Sequence, residues 1–400
     1  MYEDTPLLVV EDADTLERVV ERLSEAPVIA VDTEADSMYH YQEKCCLIQV
    51  SDAHGDIIID PLAVPDMSPL GKLFDDPGIC KVLHGADYDV VSLRRDFNLH
   101  FRNLFDTLIA AQFLAIPRIG YADLVKAHFG VELDKQYQRH DWSRRPLLPE
   151  HLDYARGDTH YLLALREMLL HKLRRAGRLM HHAEECSILE QREWSSKADD
   201  PDAWMRVKNT GNLDDPGKRA LRLLWHYRDA QARKLDRPPF KVLSDRILAQ
   251  LASERPVGRA GLDRTLPGMH GLKRRHADNL VRLLAEAEED TSPVPKPTPT
   301  PTPPPTYEVR LAGRAADKVM DALKTWRNKT AKKRNHTPYT VASNGILKTI
   351  AHALPESLDE MQALPDVRAW QVADHGEAIL SVLKAHAPKG GKKKGKKAKA

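Results

Sequence analysis

Eight prolines fall within the sixteen residues from Thr291 to Thr306 (TSPVPKPTPTPTPPPT), so no helix or sheet ladder can run through that stretch. Such a segment is held as an extended, semi-rigid spacer, and the residues before it must fold separately from those after it. The length of 400 residues demands the same division, because single cores stop growing near about 250–300 residues. A softer break lies at 195–202 (SSKADDPD), and the terminal run PKGGKKKGKKAKA offers nothing to anchor a core and is expected to be disordered. The expected plan is therefore a first domain over 1–195, a helical module over 203–288, the spacer 291–306, a second helical module over 307–387 and the lysine-rich tail 388–400.

Charge divides along the same lines. Residues 1–200 carry 22 Lys and Arg against 36 Asp and Glu, whereas 201–290 carry 18 against 13 and 307–387 carry 12 against 9. The tail adds seven lysines and no acid, so a net charge of +2 hides an acidic half tied to a basic one. A basic half of this kind suits a polyanion, which leaves the acids of the first half for another use. No apolar run approaches the ~18 residues of a spanning helix, and the amino terminus lacks a basic-then-apolar leader. These readings exclude a membrane protein and lead to the expectation of a cytoplasmic one. The four cysteines (Cys45, Cys46, Cys80, Cys186) have no zinc spacing and read as reduced, mostly buried thiols.

Short β-rich runs at Leu7–Val10, Val28–Asp32, Leu47–Ser51, Ile57–Asp60 and Lys81–Leu83 alternate with helical spacing at Asp14–Ser24 and Asp87–Asp96. This is an α/β layer pattern. From Pro149 to about Glu193 the chain reads as nearly unbroken helix, and strand signals vanish beyond it. Two later segments, LLWHYRDAQARKLDRPPFKVLSDRILAQLA and LKTWRNKTAKKRNHTPYTVASNGILKTIA, share an order of helix, Trp, basic run, Pro, aromatic, Val and helix. They form a diverged internal repeat.

Three patterns carry chemistry. In Val31-Asp32-Thr33-Glu34, at the end of an apolar strand, positions i and i+2 share a face, which sets Asp32 and Glu34 side by side. In His84-Gly85-Ala86-Asp87-Tyr88-Asp89, a strand passes into a helix whose first turn carries Asp87 and Asp89. In Tyr154-Ala155-Arg156-Gly157-Asp158, Tyr154 and Asp158 stand i and i+4 on one helix face. Each alone reads as a solvated loop start, a helix-terminal acid or a surface pair. Together, acids converging without basic partners call for hard divalent cations such as Mg²⁺ or Mn²⁺, and two of these suit phosphodiester hydrolysis.

The motifs VDTE (31–34), LIQVS (47–51), HGADYD (84–89), FDTLIAA (105–111), HDWSRRPL (140–147) and YARGD (154–158) resemble bacterial ribonuclease D, of the DEDD 3′→5′ exonuclease superfamily. WMRVKN (204–209) and the repeated segments resemble HRDC domains. The resemblance implies an α/β ribonuclease H-like exonuclease domain followed by two all-α HRDC-type modules. It implies that Asp32, Glu34 and Asp158 hold one metal ion, that Asp32 bridges to a second, and that Asp89 assists the second through water. Tyr154 would orient the attacking water. A sister subgroup carries His one residue earlier, where this chain has Asp153, so the chain falls in the tyrosine subgroup. The implied activity is release of 5′-mononucleotides from structured RNA, tRNA precursors foremost; a monomer is expected.

Tyr39, Tyr41, Tyr88 and Trp142 are candidates for stacking on terminal bases, and Arg144 and Arg145 for contacting phosphate. Lys218-Arg219, Arg233-Lys234, Lys273-Arg274-Arg275 and Lys332-Lys333-Arg334 are candidates for backbone contacts. Gln49 reads as strand structure. A DNA exonuclease and a catalytically silent nucleic-acid scaffold remain open beside the exoribonuclease.

Overall fold

A computed structural model describes residues 5–194, 200–294 and 305–388. The core of the softer break, most of the proline spacer and nearly all of the tail lie outside the described residues.

The first region comprises β1 (Leu7–Val10), α1 (Ala13–Ser24), β2 (Val28–Ala35), β3 (Cys45–Asp52), β4 (Gly55–Ile59), α2 (Gly71–Phe74), β5 (Cys80–Leu83), α3 (Asp87–Phe97), β6 (Leu104–Asp106), α4 (Thr107–Phe113), α5 (Tyr121–Phe129), α6 (Pro149–His160), α7 (Leu162–Arg175) and α8 (Leu179–Glu190). The six strands form one sheet in the order β1-β4-β3-β2-β5-β6. Strand β3 runs antiparallel to its neighbours β2 and β4, while β5 and β6 continue parallel to β2.

Strand parity builds the layers. Ile29 and Val31 of β2, with Ile48 and Val50 of β3, face α1 and α3 and join Leu16, Val20, Val90 and Leu93 in one core. Ala30 of β2 and Leu47 of β3 face the other way, where Leu162, Leu165 and Leu169 of α7 and Ala155 of α6 cover them. Asp32, Glu34 and Gln49 continue this second face, because side chains alternate along a strand.

Two expectations are corrected. The acid pair lies inside β2, which runs on to Ala35, because β3 pairs with it as far as Cys45. The long helix after Pro149 is broken into α6, α7 and α8, with a turn at Gly177 whose φ of +65° suits glycine. β6 and the helices α4 and α5 were not legible from periodicity.

The rest is helical: α9 (Asp215–Lys234), α10 (Pro239–Val242), α11 (Asp245–Glu254), α12 (Gly258–Thr265) and α13 (His270–Glu289) before the spacer, then α14 (Gly313–Lys333), α15 (Asn344–Ala353), α16 (Leu358–Gln362) and α17 (Ala369–His386) after it. Each group encloses its own apolar core.

Both groups dock on the α/β domain at different places. The second inserts Trp370 of α17 against Phe113 and His181, with ring centroids 5.4 and 5.0 Å away. Glu184 of α8 accepts from the amides of Ala369 and Trp370, so the exposed donors at the start of α17 are satisfied from the other domain. The first group docks on the loop that follows β2. There the Tyr41 hydroxyl donates to Asp229 at 2.8 Å, His40 Nδ1 lies 2.7 Å from Asp236, and Lys241 Nζ sits 4.1 Å from the Tyr39 ring centroid. Among the described residues no helix is long and apolar enough to cross a membrane, and all four cysteines are free and buried.

Candidate carboxylate site

The site forms where β2 ends under α6. Asp32 and Glu34 project from the sheet face that α6 covers, and α6 brings Asp158 down onto them. One carboxylate oxygen from each of the three lies within 4.8 Å of the others. No ion pair involves any of the three among the described residues.

Asp89 comes from the other layer. Thr33 points away from Asp32 toward α3, and its hydroxyl donates to Asp89 Oδ1 at 2.5 Å. Asp89 is therefore tied to β2 without belonging to the close trio. It lies in the first turn of α3, as its place after the strand implies, and it is buried there.

The electrostatics follow from crowding. Burial, then the charges of Asp89, Asp158 and Glu34, push the Asp32 carboxyl well above the ordinary carboxylate range. Burial and the charges of Asp158 and Asp89 do the same to Glu34. Burial raises Asp158 to about 7, and burial raises Asp89 to about 6 against the opposing Thr33 hydrogen bond. Like-charged acids that resist ionisation together become stable as anions once a cation neutralises them, and an all-carboxylate donor set suits a hard divalent ion. The donor chemistry fits such an ion.

Tyr154 stands one turn before Asp158 on α6, half-buried, with its ring 5.9 Å from Tyr137 and 5.8 Å from Trp142. Its hydroxyl has no hydrogen-bond partner among the described residues. Burial and the neighbouring Asp158, Glu34 and Asp32 push its pKa upward from the usual value, so it stays a neutral phenol at physiological pH. Beside it opens a cleft of about 640 Å³, lined by Tyr137, Asp134, Glu150, Asp153, Tyr154 and Asp158 among others.

Supports of the site went partly unread in the sequence. Asp106 caps α4 and also accepts from the amides of Gly85 and Ala86, fixing the turn that launches α3. Gly85 has φ +73°, and a Cβ there would stand 3.2 Å from Leu108 Cδ2, so only glycine makes this turn without strain. His84 is a half-buried residue of the same turn: its Nδ1 lies 2.9 Å from the Thr107 hydroxyl, and burial lowers its pKa to about 4. Arg156, inside the YARGD motif, points away from the acids and pairs with Asp56 through Nε and Nη2 at 2.9 and 2.7 Å. His160 and Ser51 complete the ring of donors around Asp56 and hold its carboxyl below the usual range against its burial.

The expected substrate contacts fare unevenly. Trp142 is 1% exposed and packs on Cys46, Leu47, Ile58 and Ala155, so it is core and stacks on no base. Arg145 is spent inside the protein: its guanidinium binds both oxygens of Asp60 and the carbonyls of Cys46 and Trp142. Arg144 remains 75% exposed, paired with Asp141 at the surface. Tyr39 donates to the Arg139 carbonyl and lies beneath Lys241, and Tyr41 is taken up by the first helical group. Tyr88 keeps an exposed ring next to Asp89, its hydroxyl donating to Glu43. The basic clusters are partly consumed as well, with Arg219 on the Ala287 carbonyl, Lys273 on Asp263 and Arg334 on Asp374.

Comparisons with known proteins agree with this architecture. Residues 7–174 match the family model of the 3'-5' exonuclease domain, and residues 218–284 and 316–383 each match the HRDC domain. The catalytic core of RRP6 from Trypanosoma brucei is 32% identical, with a TM-score of 0.64 over 72% of this chain and 81% of that one. Escherichia coli RNase D, described as an exoribonuclease involved in structured RNA processing, has a TM-score of 0.67 at 26% identity over 96% of this chain and 100% of that one. Among curated proteins, the exosome complex component 10 homolog of Caenorhabditis elegans is 33% identical over 290 residues, 72% of this chain. The chain spans about a third of the length of such curated relatives. With the acid cluster, the sheet order and both helical groups in place, the chain belongs to the family of 3'-5' exonucleases that carry HRDC domains.

Proposed function

We propose that this protein is a divalent-metal-dependent 3′→5′ exoribonuclease that trims the 3′ ends of structured RNA, tRNA precursors foremost, and releases 5′-nucleoside monophosphates. The observation that carries the reading is the trio Asp32, Glu34 and Asp158, with oxygens within 4.8 Å of one another and no ion pair of their own. The proposed division is an exonuclease domain over 1–195, HRDC domains over 203–288 and 307–387, the spacer 291–306 and the tail 388–400, in a cytoplasmic monomer. Kinship with bacterial ribonuclease D is favoured because this chain covers 100% of the E. coli enzyme and only 33% of the exosome component.

In this reading Asp32, Glu34 and Asp158 would hold one Mg²⁺ or Mn²⁺ ion, and Asp32 and Asp89 would serve a second. Bound there, the ions supply positive charge to the phosphate and make water a better nucleophile. The chain's own residues do the rest. Tyr154, neutral and with a free hydroxyl, orients the attacking water instead of removing its proton. Tyr88 offers a ring for the terminal base. RNA is drawn to the helical modules through the lysines and arginines left exposed, since the cleft beside Tyr154 is lined by acids that repel phosphate.

The test is a time course of 5′-labelled tRNA precursor with a short 3′ extension, in Mn²⁺, Mg²⁺ or EDTA. A ladder that shortens one nucleotide at a time and disappears in EDTA is expected. Full-length RNA in every lane, or faster loss of a DNA oligomer of the same sequence, overturns the reading. Tyr154→Phe should lower kcat by roughly ten- to a hundredfold, at or below the low end of the ~10²–10⁴ of a true general base. KM and metal dependence should hold, and an unchanged kcat removes Tyr154 from the chemistry.

A further inference from the structure

Gln49 sits in the middle of β3, directly across from Asp32 in the register of the two strands. Opposed residues on paired strands share a face, with their Cβ atoms about 4.5–5.5 Å apart. Gln49 is 0% exposed, and neither Oε1 nor Nε2 has a hydrogen-bond partner within the protein. Buried amides are nearly always paired, so a glutamine with both ends unpaired in a central strand requires a reason. On its other side β4 places Ile58 opposite it, in the small apolar cluster beneath α6 that also holds Trp142. Trp142 leaves its own Nε1–H buried and unpaired.

The complementarity is specific. Asp32 has acceptor oxygens and no side-chain donor among the described residues, while its nearest charged neighbours are other acids. Gln49 has an amide donor with no acceptor. The geometry points to Gln49 as a positioning residue for the carboxylate site: its Nε2–H, through a buried water, fixes the Asp32 carboxylate so that its oxygens face the divalent cation. A water between them has the polar partners that a buried water needs. The sequence neighbourhood agrees, since Leu47 and Ser51 on the same face are fully engaged, Leu47 in the apolar cluster and Ser51 with Asp56 and Thr159. Gln49 alone on that face of β3 lacks a partner among the described residues. The inference rests on the metal-dependent reading of the site.

Gln49→Met keeps the shape and removes both polar atoms. In the full chain, Mn²⁺ binding followed by electron paramagnetic resonance should weaken on the order of tenfold, and kcat on RNA should fall by a similar factor with KM unchanged. The metal-free melting temperature should hold, because the amide bonds no other part of the fold and the water between it and Asp32 can leave with it. Gln49→Asn, which keeps the amide one methylene short, should recover part of the metal affinity. Unaltered Mn²⁺ binding and kcat in Gln49→Met overturn the inference, as does a clearly lower melting temperature without metal, which would mean that the amide serves the fold. Failure of the wild-type chain to bind Mn²⁺ or to degrade RNA would instead overturn the function proposed for the site.

Discussion

Asp32→Asn is expected to abolish RNA hydrolysis and at the same time to make the metal-free protein harder to melt. The activity loss is expected to be on the order of 10³-fold or more, as several kcal/mol of charge stabilisation would disappear with the ligand proposed here. The gain in stability follows from proton linkage. Asp32, Glu34, Asp158 and Asp89 all have carboxyls raised in the folded protein, Asp158 to about 7 and Asp89 to about 6. Below the ordinary carboxylate pKa of about 4, folded and unfolded chains are both protonated and nothing is lost. As pH climbs toward about 7 the unfolded chain ionises first, the folded site resists, and stability falls. The difference in melting temperature between Asp32→Asn and wild type should therefore be small at pH 4 and grow in favour of the variant through pH 7. Mn²⁺ should erase it by stabilising only the wild-type fold. Melting curves of both proteins at pH 4, 5.5, 7 and 8, with and without metal, check this. A difference that does not change with pH would mean that the acids do not repel one another, and retained turnover would remove Asp32 from the metal site.

Arg156→Met is expected to damage the fold more than any change at the acids. Arg156 and Asp56 have side chains only 6% and 3% exposed and meet at 2.7 Å. Removing one partner of such a pair strands a buried charge, at a cost of about 3–5 kcal/mol. The expected fall in melting temperature is on the order of 10 °C. Activity falls with it, because the same pair seats α6 on the sheet, and α6 carries Tyr154 and Asp158. Adding Asp56→Asn to the variant should restore part of the stability, since the stranded charge is then gone. A melting temperature within about a degree of wild type for Arg156→Met would show that the pair contributes little and that α6 is held by its apolar contacts.

Much of the site was legible because its logic is local. Asp32 and Glu34 are one strand step apart, and Tyr154 and Asp158 one helical turn apart, so their shared faces follow from the period of the element alone. Asp89 was legible as an acid in a helix's first turn, but its burial and its bond to Thr33 depend on where α3 meets β2. The surroundings of the aromatic and basic candidates were not legible for one reason: Trp142, Arg145, Tyr39 and Tyr41 lie in loops, where periodicity gives no face, and each meets a neighbour distant in sequence. Gln49 looked like ordinary strand structure because its oddity is the lack of any partner, which a sequence does not display.

The order of residues was enough to determine the acidic α/β half, the helical basic half, the proline break between the two helical modules and the pairs of acids at fixed local spacing. These depend on backbone period, on proline's missing amide hydrogen and on the solubility of charge, all of them properties of residues a few positions apart. Tertiary packing alone decided that three acids from two distant elements approach within 4.8 Å, and that the first helical group grips the loop after the strand carrying Asp32 and Glu34. The same holds for Arg156, which turns away from the acids to anchor their helix. Such long-range meetings are set by which apolar faces bury one another, and burial then fixes the charge state of every acid enclosed between them.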